Sequence, residues 1–228
     1  MKIFVMKISD INDEIFDYLL DEIPVSRKIK VLKYYNKKDR IRTLLGEILI
    51  KEKLSQHLNI PRRELIFGYN YYGKPYLLSH DNIHFNISHS HEIVTVCYSN
   101  MAVGIDIEFI RSIDIPLIIS NFTQLEKNYI LNLPSQYQKQ AFFEIWTRKE
   151  SLIKNIGAGL SLSLDSFSVV HYHEEEKFLT NELCYQGVNY YFNTYYYSDK
   201  YILVICSGVV YPPASFEEVS FNELLVNR

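Results

Sequence analysis

Ser90 to Ser99 can be laid without gaps on Ser198 to Ser207, and the same step of 108 positions carries Leu44, Leu45 and Ile48 onto Leu152, Ile153 and Ile156. Within the first pair of segments, Val96 meets Val204 and Val94 meets Ile202. Those segments read as strands, whereas the apolar triplets lie in long stretches of helical period. Two kinds of element repeating at one spacing describe a chain of two related halves, joined near Asn100 or between Phe109 and Pro116. Chance agreement of amphipathic pattern is the alternative, because few residues are identical. A length of 228 residues suits one full domain or two compact halves. For related halves, a cleft between them is the default place for a site.

Met1 to Ile8 reads as a strand, and Asn12 to Leu20 and Pro24 to Tyr35 as helical. A stronger helix runs from Lys37 to Leu58, with Ile41, Leu44, Leu45, Ile48, Leu49, Ile50, Leu54 and Leu58 as its apolar stripe. Asn36 is placed to cap it, Asp39 suits its first turn, and Ile60-Pro61 ends it. Leu65 to Tyr72 reads as a strand closed by the turn Gly73-Lys74-Pro75. Ile83 to Ile87, Ile93 to Tyr98 and Ala102 to Ile107 are three further strands. A second long helix covers Tyr137 to Ile156, with Gly157 as its C′ residue. Phe167 to Tyr172, Leu183 to Tyr197 and Tyr201 to Cys206 read as strands of a later sheet, and a short helical turn follows Pro213. Nineteen tyrosines against eight glycines (Tyr 19, Gly 8) suggest aromatic-rich strands with few glycine loops.

The net charge of −3 argues against a general polyanion binder. Charge is nevertheless uneven: Arg27, Lys28, Lys30, Lys33, Lys37, Lys38, Arg40 and Arg42 are opposed only by Asp39. This stretch is a local phosphate site or a solvated helix face. Its aromatics, Tyr34 and Tyr35, stand side by side rather than interleaved with the bases, so nucleic acid is not the expected partner. Cys97, Cys184 and Cys206 form no paired framework. No signal peptide precedes Asp10, and no apolar run reaches the ~18 residues that span a bilayer. The chain reads as cytoplasmic, without a membrane partner.

Three constellations carry chemistry. In Val103-Gly104-Ile105-Asp106-Ile107-Glu108, strand alternation sends Val103, Ile105 and Ile107 one way and Gly104, Asp106 and Glu108 the other. The two acids then share a face about 7 Å apart at their backbones, as cation ligands or as a solvated acidic edge. On the second long helix Trp146, Glu150 and Lys154 share a face. Glu150 is a third oxygen donor or half of an ordinary Glu–Lys pair. Three carboxylates suit Mg²⁺, which prefers octahedral oxygen ligation and keeps some waters. The third constellation is Phe85-Asn86-Ile87-Ser88-His89-Ser90 with Gly73-Lys74-Pro75, a phosphate-binding strand end or plain turn chemistry. His89 with His91 and His171 with His173 are spaced for strand metal ligands, but without cysteine or a helical His-x-x-x-His pair zinc is not expected.

Arg42-Thr43-Leu44-Leu45-Gly46, Gly73-Lys74-Pro75, Phe85 to Ser90, Val103 to Glu108, and Trp146 to Lys154 with Gly157-Ala158-Gly159-Leu160 occur in the order found in one family. Together they resemble the surfactin-synthetase type of 4′-phosphopantetheinyl transferase, over roughly residues 1 to 210. The resemblance implies an α+β, pseudo-twofold duplicated fold, each half a small antiparallel sheet packed with a long helix. Residues 1–101 would form the half with nucleotide and 3′-phosphate contacts, and residues 102–228 the half with the carboxylates. It implies that the chain moves the 4′-phosphopantetheine of coenzyme A onto a serine of an apo acyl or peptidyl carrier protein, releasing 3′,5′-ADP. A monomer would enclose the site.

Residue by residue, the resemblance makes Asp106, Glu108 and Glu150 ligands of Mg²⁺, with Mn²⁺ as the other candidate ion. Lys154 falls near the pyrophosphate. His89, Arg27 and Lys30 fall at the 3′-phosphate, Lys74, Pro75 and Ser88 line the nucleotide, and Arg42 lies on the adenosine side. His91 departs from the family, where a small residue, often glycine, is usual. Serine needs a base, for which Glu150 is first choice and Glu126 second. The apolar run Phe109 to Leu125 is a carrier-docking surface or a core helix, with Arg111 nearby for an acidic partner. The rival functions are a non-catalytic coenzyme A-binding module and a metal-dependent phosphoesterase.

Overall fold

Both long helices begin and end on local signals. In the computed structural model, which describes residues 1–9, 11–173, 176–212 and 215–226, Asn36 caps the helix Lys37–Leu58 by accepting from the Lys38 amide at 2.8 Å. Asn59 then takes a left-handed backbone (φ 54°) and stops it before Pro61. The helix Ser135–Ile156 starts after Pro134 and ends on Gly157 at φ 76°, the conformation that favours glycine.

In chain order the elements are β1 (Lys2–Lys7), α1 (Asp13–Asp21), α2 (Val25–Leu32), α3 (Lys37–Leu58), β2 (Phe67–Tyr69), β3 (Pro75–Leu77), β4 (His84–Ser90), β5 (Ile93–Ser99) and β6 (Val103–Phe109). Then follow α4 (Ile115–Ile118), α5 (Gln124–Asn132), α6 (Ser135–Ile156), β7 (Val170–His173), β8 (Glu176–Leu179), β9 (Glu182–Tyr185), β10 (Val188–Tyr197), β11 (Tyr201–Ser207), β12 (Phe216–Glu218) and α7 (Phe221–Val226).

The fold is α+β, in two units. One holds residues 1–68, 75–100 and 214–228, the other 69–74 and 101–213. The first has a sheet of order β12-β1-β5-β4, with β12 parallel to β1 and the remaining pairs antiparallel. Its core joins Phe4, Met6, Val94 and Val96 of the sheet to Leu44, Leu45 and Ile48 of α3. The second has an antiparallel sheet of order β6-β11-β10-β9. Its core joins Ile202 and Val204 to Phe142, Ile145 and Leu152 of α6.

Each unit therefore repeats one connection: a first strand, a long helix, then a hairpin whose second strand returns beside the first. β5 and β11 keep the step of 108, since Phe4 lies opposite Val96 and Asp106 opposite Val204. The helices do not. Both are 22 residues long, but they start at Lys37 and Ser135. Their packing differs too, with α3 lying on β4 and β5 and α6 on β6 and β11.

Several expectations are corrected. The strand expected over Leu183 to Tyr197 is a hairpin, β9 and β10, turned at Gln186 (φ 51°) and Gly187 (φ 79°). A two-residue turn with both φ positive matches strand twist. The strand expected over Leu65 to Tyr72 is shorter and pairs with β3 across the Gly73 turn, while β7 starts only at Val170. Helix α5 and strand β12 were not anticipated. The halves were expected to be 1–101 and 102–228. The chain crosses between units after Asn100, but residues 69–74 and 214–228 fall in the opposite units. For the tail the reason is main-chain pairing, Ile3 with Phe216 and Val5 with Glu218. Among the described residues no helix is long and apolar enough to cross a membrane.

Candidate functional site

Strand β6 and helix α6 meet along a single row of contacts. At Gly104 an added Cβ would stand 2.0 Å from the Ser151 carbonyl oxygen and 2.4 Å from the Asn155 amide nitrogen. The helix backbone thus rests directly on the strand, which only glycine permits. Two residues on, Asp106 accepts from Lys154 Nζ at 2.6 Å. Two further, Glu108 accepts from the Trp146 indole at 3.1 Å. Gly104, Asp106 and Glu108 point toward α6, while Val103, Ile105 and Ile107 are fully buried on the opposite face. Glycine at the head of this alternating series was the available sign that a helix lies so close.

Glu150 belongs to this group. Burial pushes its carboxyl above the usual range, the nearby Asp106 charge pushes the same way, and Lys154 opposes both. Glu150 and Asp106 are therefore close enough to feel one another, and Lys154, bonded to Asp106, acts on both. Among the described residues no three His, Cys, Asp or Glu side chains stand as a group ready to hold a metal ion. The donor chemistry nevertheless fits a hard divalent cation. It is all carboxylate oxygen, and its negative charge exceeds what Lys154 offsets.

Glu126 is placed elsewhere. It is fully buried and closes a capping box on α5 with Thr123. It also accepts from the Val169 amide at 2.9 Å and pairs with Lys149 Nζ at 2.9 Å. Lys149, likewise fully buried, further donates to the Leu164 and Phe167 carbonyls. Burial pulls its ammonium down, and Glu126 pushes it back up. The expected reserve base thus sits in an internal ion pair that joins α5, α6 and the segment before β7. The run Phe109 to Leu125 divides: Ile119 and Phe122 enter the core, and Leu117 is 72% exposed.

In the first unit, Arg27, Lys30, Lys33, Tyr34 and Thr43 line a pocket of ≈ 370 Å³. Pro24 precedes α2, and the three bases follow at i, i+3 and i+6 on one face of it and its end. Arg27 Nε is oriented by Glu47 at 2.7 Å, and Glu47 also pairs with Lys51 at 3.2 Å. Arg27 and Lys30 were expected here, and Lys33 belongs to the basic stretch noted in the sequence; Tyr34 and Thr43 were not expected. On β4, Ser88 is buried and His89 exposed, on alternate faces. Beyond it His91 has φ 52°, which accounts for glycine being usual there. Its carbonyl accepts from Arg42 Nη1 at 2.5 Å, while Nη2 of the same side chain meets Asp39. Pro75 opens β3.

Lys74, in the second unit, donates to Asn155 O at 2.9 Å and Val103 O at 3.3 Å. Asn70 holds the same turn. Its oxygen accepts from the Tyr72 and Lys74 amides at 3.0 and 2.8 Å, and its Nδ2 donates to Gly157 O at 2.9 Å. Lys74 is thus an ammonium at the negative end of α6.

Residues 102–206 match the family model described as the 4′-phosphopantetheinyl transferase superfamily, and residues 11–100 match that described as 4′-phosphopantetheinyl transferase, N-terminal. The chain is 41% identical over 165 residues to the 4′-phosphopantetheinyl transferase gsp of Aneurinibacillus migulanus, which covers 72% of this chain and 69% of that protein. It is 33% identical over 203 residues to the 4′-phosphopantetheinyl transferase Sfp of Bacillus subtilis (strain 168), covering 89% and 90%. Against the 4′-phosphopantetheinyl transferase ffp of Bacillus subtilis the identity is 31% over 215 residues, covering 94% and 95%. With relatives this similar over so much of both chains, the protein belongs to the 4′-phosphopantetheinyl transferase superfamily.

Proposed function

We propose that the protein transfers the 4′-phosphopantetheine group of coenzyme A to a serine hydroxyl of an apo acyl or peptidyl carrier protein, releasing 3′,5′-ADP. The observation that carries this reading is the meeting of Asp106, Glu150 and Lys154 across β6 and α6 in a chain of this family. Asp106, Glu108 and Glu150 would hold Mg²⁺, with Mn²⁺ as the alternative, taking over oxygens that now face Lys154 and Trp146. When bound, such an ion supplies positive charge for the pyrophosphate and for the charge that builds in transfer.

The carrier serine oxygen attacks the β-phosphorus as the bond to the oxygen of 3′,5′-ADP breaks. Glu150 takes the serine proton, directly or through one water. Lys154 moves from Asp106 to the pyrophosphate and stabilises the leaving group. The 3′-phosphate is held by Arg27 and Lys30 with His89, and Lys33 and Thr43 complete the basic pocket. Ser88 and Pro75 line the nucleotide, while Lys74 and Arg42, bonded to backbone carbonyls, fix the segments beside it.

A cytoplasmic monomer is part of the same reading, and so is carrier docking near Leu117 and Arg111. The decisive experiment incubates the protein with coenzyme A, Mg²⁺ and several apo carriers and then weighs the carriers. A gain of one phosphopantetheine is expected. No gain on any carrier leaves a coenzyme A-binding module, and turnover of coenzyme A without a carrier leaves a phosphoesterase.

A further inference from the structure

The last turn of α6 carries a side chain that no step above uses. Asn155 is 6% exposed, and its Nδ2 donates to Cys206 O at 2.8 Å and to Ala102 O at 3.1 Å. Both partners are carbonyls, so the amide nitrogen must be the atom that faces them. Cys206 lies in β11 and Ala102 directly precedes β6, so one amide ties the helix to two neighbouring strands. From the other side, the carbonyl of the same residue accepts from Lys74 Nζ at 2.9 Å. Its amide nitrogen also lies over Gly104, where a Cβ would be only 2.4 Å away. Four contacts therefore converge on the residue next to Lys154. They hold the helix in height and in rotation.

We infer that Asn155 is a positioning residue for the divalent-ion site. Its two bonds set the register of α6 on β6 that brings Glu150 and Lys154 to Asp106. A slide or rotation of the helix would separate these groups, and it would also break both amide bonds and lift the helix from its seat on Gly104. The inference rests on the ion assignment proposed above and extends it to a residue that touches neither ion nor substrate.

The test uses Mn²⁺ as the probe and the full chain with coenzyme A present. Wild type, Asn155→Ala and Asn155→Leu are titrated, free Mn²⁺ is read by electron paramagnetic resonance, and Tm and the KM for an apo carrier are measured alongside. Leucine fills nearly the same space without the donors, which keeps the test open if the alanine variant fails to fold. Both variants should bind Mn²⁺ about tenfold more weakly or worse, the loss typical of groups that orient metal ligands, with the carrier KM unchanged within about twofold. Folded variants that bind Mn²⁺ as wild type does, whatever their Tm, overturn the inference and leave Asn155 a purely structural link. Wild type that takes up no Mn²⁺ overturns the ion assignment, and the inference falls with it.

Discussion

Strands β1 and β6 hold equivalent places in the repeated connection, yet one is apolar where the other carries the acids. Matched through their antiparallel partners, Phe4 stands where Asp106 does, and Met6 where Glu108 does. Phe4 and Met6 are 4% and 2% exposed. A lysine from the long helix meets each position: Lys53 Nζ lies 4.9 Å from the Phe4 ring centre, and Lys154 Nζ lies 2.6 Å from Asp106. In the first unit the lysine finds its carboxylate on an extra strand. Glu217 of β12, opposite Phe4, pairs with Lys53 at 3.0 Å. In the second unit the carboxylate is carried by β6 itself. One connection thus serves as plain scaffold when its first strand is apolar at these positions. It becomes a charged site when that strand bears two acids. The lesson is that a duplicated frame needs only two exchanged side chains to divide structure from chemistry.

The sharpest way to break this contrast is to truncate the matched pair. Asp106→Ala should lower transfer at saturating substrate by at least about 10²-fold, as for loss of comparable electrostatic groups, with the protein still folded. Phe4→Ala should instead lower stability by about 3–5 kcal/mol, leaving kcat per folded molecule near wild type. Denaturant melts and single-turnover rates on both variants decide it. Near-normal transfer by the Asp106 variant would remove the division of labour.

Two other lysines sharpen it further. Lys149→Met strips Glu126 of its partner in the interior and should cost about 3–5 kcal/mol. Lys53→Met leaves Glu217 and Glu223 half in water, so its cost should stay near 1 kcal/mol. Equal losses in urea melts would show that exposure of the acid does not matter here. A smaller effect is expected where helix and strand touch. Gly104→Ala forces α6 off β6 and should cost about 1–3 kcal/mol and reduce transfer with it. Lys2, its exposed counterpart in β1, should tolerate alanine within about 0.5 kcal/mol.

The smallest effect concerns pH. The Glu150 carboxyl is raised by burial and then by Asp106, so the folded protein holds that proton more tightly than the unfolded chain. Stability without divalent ions therefore falls as pH rises from the ordinary carboxylate range through the raised value. Glu150→Gln removes that fall. Its Tm at neutral pH should exceed that of wild type by up to about 3 °C, while transfer is lost. A Tm below wild type, measured in chelator, would contradict the electrostatic account of the site.

Much was readable from residues alone, and the reason is locality. Asn36, Ile60-Pro61 and Gly157 act within a few residues, so both ends of α3 and the C-terminal end of α6 could be read directly. Helix α6 starts two residues before the expected Tyr137. Strand alternation is equally local, and it put Gly104, Asp106 and Glu108 on one face. The turn at Gln186-Gly187 was overlooked because the tyrosine-rich run that follows it, Tyr190 to Tyr197, drew one long strand across it. Strand β12 is three residues long, and it exists only because β1 offers it a partner more than 200 residues away.

By itself, then, the amino-acid order determined the family, the α+β class, the helix limits and the acids on β6, since each depends on short-range geometry or on motifs in series. Only the tertiary structure decided that Lys154 rests on Asp106 and Trp146 holds Glu108, that Glu126 is sealed against Lys149, and that Asn155 ties α6 to two strands. Those outcomes follow from burial and from partners distant in the chain. A charged or amide group removed from water must be bonded, and which group is available to bond it is settled by packing.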